Sequence, residues 1–152
     1  MTTKTAEKHA LEIKRLIKAP RDQVYAAWAD PAQLRQWFGP DNVQTQELIT
    51  DVRVGGEFRW SLINSDGEEM TVRGEYRDVQ PGRKIAFTWR WDDDENWENQ
   101  ISVVTVELSD RDGGTEVRLT HEQLPNDQSR DNHNEGWNNV FNNLESFCAP
   151  VR

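Results

Sequence analysis

The sequence predicts an α+β domain: a curved antiparallel sheet of about seven strands wrapped around a long C-terminal helix, with two short helices after the first strand. Three observations carry that expectation. Between Ser129 and Cys148 a 3.6-residue period puts His133, Trp137, Val140, Phe141, Leu144, Phe147 and Cys148 on one face. Asn132, Glu135, Asn139, Asn142 and Ser146 lie opposite, with no apolar residue among them. From Val43 to His121 the period is two, interrupted by turn residues at regular intervals. A helix of that length spans roughly 30 Å, the reach of a nine-residue strand, so sheet and helix match in size.

Composition sets the outer bounds. The 152 residues suffice for one domain with a real core, and charged (30%) and apolar (35%) fractions are those of a globular protein. Seven tryptophans are many for this length and point to an aromatic core or pocket. The net charge of -9 disfavours nucleic acid and anionic membrane surfaces as partners. Cys148 is alone, which excludes an internal disulfide and fits a reducing compartment. No run approaches the ~18 apolar residues of a membrane span, and the N-terminus lacks a signal-peptide core, so the cytoplasm is the expected location.

In chain order, residues 1–9 are polar and expected to be frayed, and a single domain is expected over 1–152. Leu11, Ile13 and Ile17 alternate with Glu12, Lys14 and Lys18 as a half-buried strand. Arg15 falls on its apolar side, either snorkelling to meet a carboxylate or holding an anion in a pocket. Pro20 suits a first helical turn, with Val24, Ala27 and Trp28 as the apolar stripe. Asp30 is placed to cap a second helix that begins at Pro31, buries Leu34, Trp37 and Phe38, and stops at Gly39-Pro40. Trp28 and Trp37 read as core, with a cavity wall as the alternative.

The meander follows. Turn chemistry at Gly55-Gly56, Asn64 to Gly67, Gln80 to Gly82 and Asp110 to Gly114 separates five apolar rows. They are Phe58-Trp60-Leu62, Met70-Val72-Gly74-Tyr76, Ile85-Phe87-Trp89-Trp91, Val104-Val106-Leu108 and Val117-Leu119-His121. The alternate positions, among them Arg59, Arg73, Glu75, Arg90 and Arg118, are charged and face water. Gly74 within a strand is expected to leave space beside it. Gly136 inside the long helix costs about 1 kcal/mol relative to alanine, which points to a close approach there, with packing as the leading reason.

Strand, two short helices, six strands and a long helix, with Ala19-Pro20, Val24 and Trp28, Asp30-Pro31 and Trp37, Val54-Gly55-Gly56, and Gly136-Trp137 with Leu144, resemble the START-like (SRPBCC, helix-grip) superfamily. Within it the chain looks like the branch named for activators of the ninety-kilodalton heat-shock-protein ATPase. The resemblance runs from about Leu11 to Cys148 and implies an apolar cavity between sheet and long helix. Members of the superfamily bind lipids, hormones or polyketides, and some are cyclases or hydrolases. Co-chaperone activity in the named branch belongs to larger proteins with an additional domain.

Motifs for harder chemistry are absent. His9, His121 and His133 lack partners at metal-ligand spacing, no G-x-S-x-G occurs, and no phosphate loop or other cofactor motif is found. Asp92-Asp93-Asp94-Glu95 lacks the glycine and ligand spacing of a calcium loop and reads as a solvated turn. Polar residues on inner faces remain: Arg15, Tyr76, His121 and His133. The favoured function is therefore a cavity protein for a hydrophobic or aromatic small molecule. Its expected lining is Phe58, Trp60, Tyr76, Trp89, Trp91 and His121 from the sheet and His133, Trp137 and Phe141 from the helix, around a void of ~300–1,000 Å³. One alternative is a cyclase- or hydrolase-type enzyme with His121 or His133 as general base, helped by Tyr76 or Arg15. The other is a chaperone-interacting module, which would require an exposed apolar patch.

Overall fold

A computed structural model of the chain describes residues 9–38, 43–92 and 94–148, with the backbone alone for 43–46. Asp93 and the expected stop at Gly39-Pro40 lie outside them, as do residues 1–8. The elements are β1 (Leu11–Ile17), α1 (Arg21–Ala29), α2 (Pro31–Trp37), β2 (Val43–Thr50), β3 (Glu57–Asn64), β4 (Glu69–Gln80), β5 (Lys84–Trp91), β6 (Ser102–Arg111), β7 (Gly114–Glu122) and α3 (Asp127–Cys148). All pairings are antiparallel, in the order β1-β7-β6-β5-β4-β3-β2. Six strands thus form a plain meander, and β1 closes beside the last of them.

Local chemistry explains the helix boundaries. The Asp30 carboxylate accepts the Ala32 N–H at 3.0 Å and caps α2, with Pro31 at its first position. Asn126 does the same for α3, its Oδ1 accepting the Ser129 N–H at 2.8 Å. His9, expected in the frayed stretch, is tied down instead: its carbonyl accepts the Leu124 N–H at 3.0 Å, and its Nε2 lies 3.4 Å from Asp127.

The concave face buries the predicted rows. Ile17, Val72, Phe87, Val104, Leu119 and Phe141 are almost wholly excluded from water. The sheet bends where register shifts between Thr45 and Glu47 and between Tyr76 and Asp78. Gly74 does not create space. A Cβ there would stand 1.9 Å from the Thr88 carbonyl oxygen and 2.5 Å from a Phe58 ring carbon, so the glycine admits a close approach of backbone and ring.

α3 lies across β1, α1 and α2. Arg15 fastens it. The guanidinium donates to Asn142 Oδ1 (3.0 Å), Glu145 Oε2 (2.8 Å) and Asn138 Oδ1 (3.1 Å), and sits 5.8 Å from the Phe141 ring centroid. This is the carboxylate-meeting reading of Arg15, with Nη1 and Nη2 both bonded to the helix.

Candidate functional site

Two histidines organise the interface between β5, β7 and the first half of α3. His121 projects from β7, fully buried. Ser102 Oγ gives its single hydrogen to the Trp89 carbonyl at 2.8 Å, so at 2.8 Å from His121 Nε2 it must accept. Trp137 Nε1–H donates to His121 Nδ1 at 3.1 Å. These contacts define a neutral imidazole protonated on Nε2.

His133 takes the opposite tautomer. Its Nδ1–H donates to the Ser129 carbonyl at 2.7 Å, within α3. Its Nε2 accepts from Trp91 Nε1 at 2.9 Å and Trp89 Nε1 at 3.2 Å. The ring centroids of the two histidines are 5.0 Å apart. Burial, with the facing His133 ring as the second cause, holds His121 well below the ordinary imidazole value. Burial lowers His133 too, against the opposing effect of its bond to Ser129. All four ring nitrogens are engaged, and neither ring has a lone pair to spare.

Beside this cluster opens a cavity of about 740 Å³. Trp89, Trp91 and Trp137 form its aromatic wall together with Trp97, and Phe38, Leu62, Met70 and Val140 complete the apolar lining. Ser129, Asn132, His133 and Gly136 border it from α3. Its remaining edge joins Thr71 and Asn96 to four carboxylates: Glu69 at the start of β4, Asp92 after β5, and Asp94 and Glu95 in the turn that follows. That turn is a short 3-10 helix, Glu95–Trp97, capped by the Asp94 carboxylate, and it tucks Trp97 inward to 2% exposure.

Of the nine residues expected around a cavity, Trp89, Trp91, His133 and Trp137 border this one. The others lie outside its lining. Phe58, Trp60 and Tyr76 stack with Phe87 as solid core, at centroid separations of 4.3 to 6.0 Å. Tyr76 bonds Thr50 through its hydroxyl, and burial pushes its phenol up to about 12. His121 stands behind Trp89 and Trp137, and Phe141 packs 6.1 Å from Trp28. Arg15 is likewise outside the lining.

Trp97 carried no signal in the sequence, because a lone tryptophan in a polar loop has no period to report. The acidic run read as a solvated turn contributes Asp92, Asp94 and Glu95 to the cavity edge. Asn132, assigned to the wet face of the helix, borders the opening. Gly136 departs from its packing explanation: a Cβ there would meet nothing within 4 Å, and the residue faces the cavity.

Solved structures with this architecture include a protein of Chromobacterium violaceum, 26% identical, at a TM-score of 0.87 over 94% of this chain and 99% of that one. A Rhizobium leguminosarum protein is 28% identical, with a TM-score of 0.77 over 91% and 93% of the two chains. The AHSA1 protein of Silicibacter pomeroyi is 26% identical, with a TM-score of 0.80 over 90% and 95%. No curated protein matches in sequence. A family model described as Activator of Hsp90 ATPase homolog 1-like protein matches residues 18–149. Spanning both short helices, the meander and α3, that match shows that the chain belongs to the Activator of Hsp90 ATPase homolog 1-like family.

Proposed function

We propose that this protein binds a hydrophobic or aromatic small molecule between its sheet and C-terminal helix. The observation that carries the reading is the tryptophan-walled cavity of about 740 Å³, a volume in the range of small-molecule sites. Elsewhere the same concave face is filled by interlocking aromatics, as a core ordinarily is. Binding is favoured over catalysis because a general base needs a nitrogen lone pair facing its substrate. The hydrogen bonds of His121 and His133 occupy all four ring nitrogens. A chaperone-docking surface lacks a comparable feature, since the exposed large apolar side chains among the described residues are Ile49, Val54 and Ile101.

Naphthalen-2-ylmethanol is a suitable probe, being neutral and aromatic. Its titration should quench tryptophan fluorescence saturably and raise the melting temperature by mass action. Trp91→Ala, which removes a half-buried wall residue, should weaken the probe's binding by about tenfold. Glu135→Gln, on the exposed side of α3, should leave it unchanged. Absence of saturable quenching up to the probe's solubility limit would reject the binding reading.

A further inference from the structure

We infer that the ligand carries a positive charge beside its aromatic or apolar body, as an organic ammonium, and that the cavity discriminates against carboxylates and phosphates. The inference rests on the binding reading above and names the ligand class. Its basis is what the lining side chains have left to offer. The indole N–H groups of Trp89 and Trp91 are both spent on His133, and that of Trp137 on His121. Trp89 and Trp137 are each only 3% exposed, so half-buried Trp91 is the one of the three with surface to offer, and it meets a ligand with ring carbon and π face alone. An indole face is the negative end of its quadrupole and attracts cations.

The polar edge has the same sign. Among the described residues no lysine or arginine lines the cavity, and His133, the one imidazole they place there, is held neutral by its three hydrogen bonds. Asp92 is chelated by Arg73 through three contacts of 2.6 to 3.1 Å and adds little net field. Asp94 caps its own turn, accepting the Asn96 N–H at 3.0 Å. Glu69 and Glu95 have no ion-pair partner among the described residues, and nor does Asp94. Three carboxylates without such a partner at the opening of an apolar cleft concentrate a negative potential there. An anionic ligand would meet that field with no cation to receive it. A bare metal ion is a poor candidate, because no group of three or more ligating side chains converges among the described residues. A cation with an apolar body uses both the π faces and the carboxylates.

Three probes with one ring system separate the possibilities. At pH 7 and low salt, naphthalen-2-ylmethanamine is cationic, naphthalen-2-ylmethanol neutral and 2-naphthoate anionic. The amine should bind about tenfold more tightly than the alcohol, and the naphthoate more weakly than either. In the double variant Glu69→Gln, Glu95→Gln the amine should lose about threefold or more in affinity. Glu135→Gln, away from the cavity, should keep the unmodified protein's ratio of amine to alcohol affinity, and an unchanged far-ultraviolet circular dichroism spectrum verifies that the double variant is folded. If the alcohol binds as tightly as the amine, the charge inference is overturned and the cavity reading stands. If the amine is preferred equally by the double variant, the carboxylates are not the source and the assignment fails. If none of the three binds, the cavity reading itself is rejected.

Discussion

A second proton on either buried histidine would have nowhere to go. On His133 it would set an N–H against two indole N–H groups, and on His121 against that of Trp137. Burial depresses both imidazoles in the folded state, whereas in the unfolded chain they titrate near pH 6.5. Below that pH the unfolded chain takes up protons that the folded protein refuses. The associated stability is therefore complete above about pH 6.5 and is lost as the pH falls, at up to about 1.4 kcal/mol per pH unit for each imidazole. Urea unfolding between pH 5 and pH 7.5, in a His9→Asn background that removes the third histidine, should show this slope; a flat profile would refute the tautomer assignment. Cys148, 2% exposed and raised by burial, should react with a disulfide reagent only as the protein unfolds.

Helix α3 works as two halves. Its second half is core: Val140, Phe141, Leu144 and Cys148 are buried, and Arg15 clamps Asn138, Asn142 and Glu145 from the edge. Its first half lines a void. Trp137 joins the two, 3% exposed and bonded to His121, so Trp137→Ala should cost about 3–5 kcal/mol. Asn139→Ala should be nearly neutral, and equal urea midpoints for the two variants would contradict the face assignment. Gly136 gives the opposite expectation. With open space at its Cβ position, Gly136→Ala should stabilise the protein by about 1 kcal/mol through helix propensity. The added methyl enters the cavity, so affinity for the naphthalene probes should fall in the same variant. A loss of stability would instead restore a packing role for the glycine.

At the scale of the molecule, the cavity lies where the first half of α3 faces the sheet. α3 packs against β1 and the short helices, and the pairings of β2 with β3 and of β4 with β5 each carry a register shift. The gap at the first half of α3 is narrowed by Phe38 at the end of α2 and Trp97 from the loop after β5. The chain carries a net charge of -9, and the edge of this gap shares the sign. A labelled DNA duplex should show no salt-sensitive shift with micromolar protein. Among the described residues no helix is long and apolar enough to cross a membrane.

Local periodicity by itself determined the architecture. The face of α3, the rows of the meander, the cap at Asp30 and the turns at Gly55-Gly56 and Gly82 each depend on neighbours a few residues away, and each is where the pattern put it. Tertiary structure alone decided which inner-face aromatics are core and which are wall. Phe58 and Trp60 share a face and a period with Trp89, yet the first two pack ring on ring and the third borders a void. Side-chain pairing is also a long-range matter. Nothing near His133 in sequence shows that two indoles 42 and 44 residues away will occupy its nitrogen. Trp97 and the acidic edge lie in a loop, whose position follows from the strands it connects and not from any repeat of its own. An alternating pattern records which side of a strand faces inward; how far the opposite wall stands is set by sheet curvature and helix placement.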